Sequence, residues 1–175
     1  MVLKYCKKTG VSVINIVRKE EQVDILKDID AQYILNSESD TFISDLKELS
    51  TELQATGFFD PVGGEQTMKV LRELPYGSTV YLVDNLSGEA TSFNSLELIH
   101  SEKSFSYINV TPWILKKTPE DIQNIMGEIA LDLAQGGEIF GITVYKTYPL
   151  SEFEKAFEDS IKYASIGKVL LKPQE

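Results

Sequence analysis

VSVINIVRKEE, residues 11–21, carries five valines or isoleucines in its first seven positions and then turns abruptly charged. Such a run, without polar alternation, has the composition of a strand covered on both faces. The charged end leads into a helix, because Val23, Ile25, Leu26 and Ile29 recur at helical spacing. On the other side, Gly10 suits the position just past a helix that ends in Lys7 and Lys8.

The alternation of strand and helix continues. A short strand is predicted at residues 33–35, then a helix with Phe42, Leu46, Leu49 and Leu53 on one stripe, capped by Ser39 or Asp40. Residues 57–60 read as a strand, and Gly63-Gly64 leads into a helix carrying Met68, Leu71 and Leu74. Pro75 and Gly77 turn the chain into a strand at 79–83, followed by a short helix near 96–100 and a strand at 105–110. Thr118, Pro119 and Asp121 form a strong helix start, with Ile122, Ile125, Met126, Ile129 and Leu133 as its buried face and Gly136-Gly137 as its stop. Ser151 and Glu154 read as a second capping box, with Phe153 and Phe157 on the inner face of that helix. GKVLLKP, residues 167–173, reads as a last strand. This order predicts an α/β fold with a mainly parallel sheet and helices on its faces.

Composition narrows the functions. A formal charge of −10 argues against a nucleic-acid partner, which requires a basic surface. No apolar run approaches the roughly 20 residues that span a bilayer. The opening MVLKYCKKTG has too short an apolar segment for a signal peptide. Cys6 is the only cysteine, which excludes an internal disulfide and fits a reducing compartment. His100 is the only histidine: a zinc site lacks its three or four ligands, and a Ser-His-Asp or Cys-His centre would have to use His100 without a GxSxG elbow, so His100 reads as an exposed helix-end residue.

Four stretches, read together and in order, carry a resemblance: VINIVRKEEQ (13–22), FFDPVGGE (58–65), LPYGSTVYLVDNLSG (74–88) and GKVLLKP (167–173), with TPWI at 111–114 beside them. They resemble the medium-chain dehydrogenase/reductase superfamily, in its branch of zinc-independent quinone reductases and mitochondrial-type enoyl thioester reductases. The resemblance implies a Rossmann-like three-layer sandwich with strand order 3-2-1-4-5-6 and an N-terminal catalytic domain in the complete enzyme. On this reading residues 1–140 are an incomplete NAD(P)-binding domain, and residues 141–175 are a tail that in relatives packs on the catalytic domain. The first strand and its glycine-rich turn are missing. That strand is central, so the second and fourth strands must either close up or be bridged by another chain.

The same resemblance implies where a cofactor would lie. Arg18 and Lys19 stand at the end of the second strand, where a basic residue suits the 2′-phosphate of NADP(H) and an acid would suit NAD. The plain alternative is a solvated basic pair at a helix start. Val62 and Gly63 follow the fourth strand, and Val83, Asn85 and Leu86 follow the fifth, in loops that lie beside the cofactor in relatives. Asp84 departs from the small residue usual there, and making an Asx turn is its bland reading. No catalytic residue is assigned, since the tyrosine of the enoyl reductase branch belongs to the catalytic domain; Tyr107 and Tyr145 receive no role, and Trp113 is expected in core or interface.

The expected function is therefore the NAD(P)-binding region of an oxidoreductase that passes hydride from NADPH to a quinone or activated alkene. This chain alone is expected to turn over little, to need no metal, to form a homodimer through the strand near 105–110, and to reside in the cytoplasm or mitochondrial matrix. Two other readings stand beside it: a non-catalytic truncated dimerisation module, and a fragment of an ordinary enzyme.

Overall fold

α1 (Val2–Thr9) opens the chain and stops where the sequence places its end, at Gly10, whose φ of 73° is left-handed. The computed structural model describes residues 1–173 and divides into two compact units. One joins Met1–Val11, Asp24–Asp30 and the chain from Thr118 onward; the other comprises Ser12–Val23 and Ala31–Lys117.

The second unit holds five strands. β1 (Ile14–Val17) is followed by α2 (Glu20–Asp28) and pairs in parallel with β2 (Tyr33–Asn36). After α3 (Phe42–Glu52) come β3 (Gly57–Asp60), α4 (Glu65–Glu73), β4 (Thr79–Leu82), α5 (Ser95–Ser101) and β5 (Ser104–Tyr107). β4 lies between β3 and β5, parallel to both, with Thr79 opposite Gly57 on one side and Ser104 on the other. A short helix, α6 (Val110–Leu115), ends the unit. Every strand pairing among the described residues is parallel, and the fold is α/β and Rossmann-like.

One core serves both sheets of this unit. Leu35, Phe42, Leu46, Met68, Val70, Leu71, Leu74 and Val80 are buried together, and Ile14, Ile16 and Phe58 pack against them. α3 and α4 therefore bury the stripes predicted from their 3.6-residue periodicity. β1 and β3, however, share no hydrogen bonds, and each is paired on one side only. Of the two outcomes expected for the missing central strand, closing up does not occur among the described residues. This also corrects the reading of VSVINIV: the residues of β1 are only half-buried, because one edge of the strand has no neighbour.

Three further local readings are corrected in this unit. The strand predicted to reach residue 110 stops at Tyr107, and TPWI lies in α6, whose start Asn109 caps by accepting from the Thr111 N–H at 3.1 Å. The N-cap position of α3 is Thr41, without a side-chain cap bond, rather than Ser39 or Asp40: Ser39 Oγ accepts from the Thr41 N–H (3.3 Å) and Thr41 Oγ1 donates to Asp45 (2.7 Å). Asp84 makes no Asx turn, since its carboxylate accepts from the very next N–H, that of Asn85, at 2.8 Å.

At the far end of the unit Arg72 Nε donates to Glu97 at 2.7 Å and its Nη2 to the other carboxylate oxygen at 3.3 Å. This hydrogen bond holds the Glu97 pKa below the ordinary glutamate value and raises that of Arg72. Lys103, whose pKa is lowered by burial, donates to the carbonyls of Leu71 (2.8 Å) and Arg72 (2.9 Å) and so caps the end of α4. The Arg72 and Glu97 side chains are 49% and 33% exposed, so solvent screening limits the pair to less than about 1 kcal/mol. A carboxylate whose pKa falls on folding stabilises above its unfolded pKa and loses that contribution as pH drops through the folded value. Glu97→Gln is thus expected to lower stability slightly at neutral pH and to leave it unchanged in acid, a convergence that urea titrations at both pH values would show.

The first unit contains α7 (Pro119–Ala134), β6 (Val144–Pro149), a 3₁₀ turn (Leu150–Glu152), α8 (Phe153–Lys162) and β7 (Lys168–Lys172), with β6 and β7 paired in parallel. The Thr118–Asp121 capping box is present as read. The face of α7 is shallower than predicted: Ile122, Ile125 and Ile129 are half-buried, while Met126 and Leu133 are exposed. The Ser151–Glu154 box does not form, because the 3₁₀ turn takes up Ser151 and α8 starts after Glu152 without a side-chain cap. Phe153 and Phe157 point outward, and the buried position of α8 is the small Ala156. Tyr148 is buried beneath it, its hydroxyl donating to Asp159, which raises the tyrosine pKa.

Candidate functional site

The last residue of β1, Val17, is followed by two free-standing N–H groups at the entrance to α2. Gln22 reaches back and accepts from both, Arg18 N and Lys19 N, each at 3.1 Å. The two basic side chains therefore leave a fixed backbone and extend into solvent at the strand's end. Glu20 and Glu21 occupy the first turn of α2, which offsets the poor placement of cations at a helix N-terminus.

β3 ends in Asp60, which is 1% exposed. A carboxylate so buried must be paired with donors. Its Oδ1 accepts from Val62 N (2.8 Å) and Gly63 N (3.1 Å), and its Oδ2 from Thr67 Oγ1 (2.5 Å) in the first turns of α4. These three bonds fold residues 61–64 into a tight turn, with Gly63 at φ 76° and Gly64 at φ 69°. A side chain at Gly63 would also run into the amide of Asn85.

The loop after β4 is strapped to this turn. Leu86 N donates to the Pro61 carbonyl at 3.0 Å and Ser87 N to the Val62 carbonyl at 2.9 Å. Turned to satisfy its neighbours, the Asn85 amide nitrogen donates to Val62 O (3.3 Å), Glu89 O (3.2 Å) and Ser87 Oγ (3.2 Å). The loops after β3 and β4 are one hydrogen-bonded structure.

A cleft of about 650 Å³ opens at the C-terminal ends of these strands. Of the residues expected beside a cofactor, Arg18, Lys19, Val62, Gly63 and Leu86 line it. Asn85 braces its floor through Val62. Val83 does not join them: it is 47% exposed and borders a separate depression with Asp84 and Tyr107. Three cations (Arg18, Lys19, Lys69) and three carboxylates (Glu38, Glu65, Glu89) surround the cleft, so it carries no net positive charge. Gln66 also lines it, and its buried Nε2 has no hydrogen-bond partner among the described residues.

Several of these residues were not singled out by the sequence reading. Asp60 reads in the sequence only as the end of the strand 57–60, although an acid seven residues before a threonine, across a Pro-Val-Gly-Gly turn, is a usable signal for the buried pair. Gln22, Gln66 and Glu89 carry no such local signature. His100 lies exposed in the last turn of α5, and Cys6 sits on α1 in the other unit. Among the described residues no group of three or more His, Cys, Asp or Glu is placed to hold a metal ion, and no helix is long and apolar enough to cross a membrane.

Comparison with known proteins completes the description. Residues 1–130 match the zinc-binding dehydrogenase family. The chain belongs to that family. This places it in the medium-chain dehydrogenase/reductase superfamily that its sequence resembles. A mitochondrial enoyl-[acyl-carrier-protein] reductase of Caenorhabditis elegans is 24% identical over 174 residues, covering 97% of this chain and 50% of that protein. Among solved structures, a Mesorhizobium loti protein assigned as an NADPH:quinone reductase superposes with a TM-score of 0.82 at 23% identity, over 98% of this chain and 49% of its own. CurA of Vibrio vulnificus, solved with NADPH, gives a TM-score of 0.72 at 17% identity, over 100% of this chain and 53% of its own. The chain thus spans about half the length of the family relatives it matches.

Proposed function

We propose that this chain is the NADP(H)-binding region of a quinone- or enoyl-reductase-type oxidoreductase, which in its complete form passes hydride from NADPH to a quinone or activated alkene. The observation that carries the reading is the cleft itself. It lies at the carboxyl ends of parallel strands, where open α/β sheets bind nucleotides, and it gathers loops from β1, β3 and β4. When bound, the cofactor supplies the hydride chemistry, and the protein supplies position and electrostatics. Arg18 and Lys19 hold the adenosine 2′-phosphate. Val62, Gly63 and Leu86, braced by Asn85, offer close-approach backbone toward the nicotinamide ribose, with Val83 at the margin. A cytoplasmic or mitochondrial-matrix location accords with this reading.

The fit is good at the phosphate-bearing ribose and poor at the pyrophosphate. The described residues offer that diphosphate no G-x-G-x-x-G turn, and the charges around the cleft cancel. NADPH affinity of this chain alone is accordingly expected to be weak, and calorimetry that returned low-micromolar binding would contradict it. The cofactor choice is tested with adenosine 2′-monophosphate against adenosine, followed by NMR shifts at Arg18, Lys19 and Ser37. Two charge-assisted contacts at partly exposed cations are expected to favour the phosphorylated ligand by about ten-fold, and Arg18→Ala with Lys19→Ala should erase the preference. Equal binding of both ligands to the unaltered chain would remove the NADP(H) assignment.

A homodimer is proposed as the assembly, on one specific observation. Tyr107, Ile108, Val110, Trp113, Ile114 and Leu115 are all exposed, next to the unpaired edge of β5. An exposed apolar run of this length, from the end of an edge strand through a short helix, marks an association surface. Sedimentation is expected to show a dimer that Leu115→Glu with Trp113→Glu dissociates; a monomer at high concentration would exclude it.

A further inference from the structure

We propose that Asp84 makes the depression at the carboxyl ends of β4 and β5 selective for the oxidised, positively charged form of the nicotinamide ring, so that the chain holds NADP⁺ more tightly than NADPH. The inference deepens the nucleotide reading and rests on it for the arrival of the ring.

Strand order places the depression. Arg18 and Lys19 follow β1, Val62 and Gly63 follow β3, and Leu86 follows β4, and all of them line the cleft. β5 is bonded to the other side of β4, and residues 82–84 and 107–110, at the ends of these two strands, line a separate depression of about 530 Å³. A dinucleotide laid across the strand ends, with its phosphate-bearing ribose at Arg18 and its second ribose against Val62 and Leu86, directs its ring toward that depression.

The charge there is one-sided. Leu82, Val83, Ile108 and Val110 give apolar walls, Tyr107 an aromatic one, and Asp84 is the one charged side chain of the lining. Its carboxylate accepts from Asn85 N at 2.8 Å and has no ion-pair partner among the described residues. The cleft differs, because three cations stand among its three carboxylates. An apolar hollow with an aromatic wall and one uncompensated carboxylate suits a flat organic cation, through charge attraction and the negative face of the tyrosine ring. The reduced nicotinamide ring is uncharged and the oxidised ring is a pyridinium cation, so the oxidised form alone gains. The carboxylate is also held in place, since its donor Asn85 is itself braced to the Val62 carbonyl at 3.3 Å. Linkage is reciprocal, so a preference of about five-fold shifts the redox equilibrium of the bound cofactor toward the oxidised form by the same factor.

The probes are nicotinamide mononucleotide in its oxidised and reduced forms, titrated into the full chain and followed by amide shifts at Val83, Asp84, Tyr107 and Ile108. Neither form carries the adenosine end, so the result does not depend on Arg18 and Lys19. The oxidised form is expected to bind about five-fold more tightly, the effect of one carboxylate a few ångströms away in a solvated site. Asp84→Asn, at an exposed position, should bring the two forms within about two-fold of each other. Glu89→Gln removes a carboxylate of the cleft and should leave the preference intact, which separates Asp84 from the general negative field of the chain. The same preference is expected in the Trp113→Glu, Leu115→Glu chain, where no dimer partner covers Tyr107 and Ile108. Equal binding of the two forms, no shift at these amides with either, a preference that survives Asp84→Asn, or one seen only in the dissociated variant would each overturn the proposal. All four leave the NADP(H) assignment standing, which falls instead on equal binding of adenosine and its 2′-monophosphate.

Discussion

Replacing Asp60 by alanine is expected to destabilise the strand-rich unit by about 3 kcal/mol, through loss of charge-assisted hydrogen bonds and exposure of their buried donors to nothing. Asp60 is 1% exposed and satisfies Val62 N, Gly63 N and Thr67 Oγ1 at once. Removing the carboxylate leaves the Thr67 hydroxyl, itself fully buried, without its acceptor. Asn is not a neutral replacement, because one half of its amide is a donor and would face donors. Urea unfolding of Asp60→Ala, Asp60→Asn and Thr67→Val separates the contributions. Alanine and asparagine should both cost more than Thr67→Val, which takes away one of the three donors and leaves the two backbone N–H groups on Asp60 Oδ1. A loss below about 1 kcal/mol for Asp60→Ala would show that the turn holds itself without the carboxylate. The turn is also the wall of the cleft, so amide shifts at Gly63, Leu86 and Ser87 should move with the same variants.

Leu71→Ala carries the other large effect, expected at about 3 kcal/mol from lost burial and a residual cavity. Leu71 is fully buried on α4 and belongs to the common core with Leu46 of α3 and Val80 of β4. Leu71→Met, which conserves volume, should cost less than about 1.5 kcal/mol. The contrast distinguishes packing from helix propensity, since leucine and methionine are similar helix formers and alanine is better. If Leu71→Ala proved as stable as the unaltered chain, α4 would be held by its hydrogen-bonded ends alone.

Much of this was legible beforehand, for a physical reason. Helix stripes such as Phe42–Leu46–Leu49 and Met68–Leu71 announce themselves because one periodicity serves both local structure and burial. The pair Arg18–Lys19 and the turn at Val62–Gly63 stand at strand ends in the sequence pattern, and both line the cleft. What failed depended on partners distant in sequence. Phe153 and Phe157 are apolar at the right spacing, yet the side of α8 that meets the β6–β7 pair is set by Ala156 and Tyr148. The half-burial of β1 goes with its open edge among the described residues, which no property of those residues records. Asp60 was hidden because its three donors come from a turn and a helix that must form before the carboxylate can be buried. Asn109 shows the reverse: a cap residue was present, but the β-branched run around it read as a continued strand.

The all-parallel ladder has a kinetic consequence. No two neighbouring strands can meet until a whole intervening helix has been spooled out, so contact order is high and local hairpins contribute nothing to nucleation. Refolding is therefore expected to be slow, with open strand edges persisting long enough for encounters between molecules. Yield on dilution from denaturant should fall steeply with protein concentration, and the ribosome-bound or newly released chain is the species most exposed to capture.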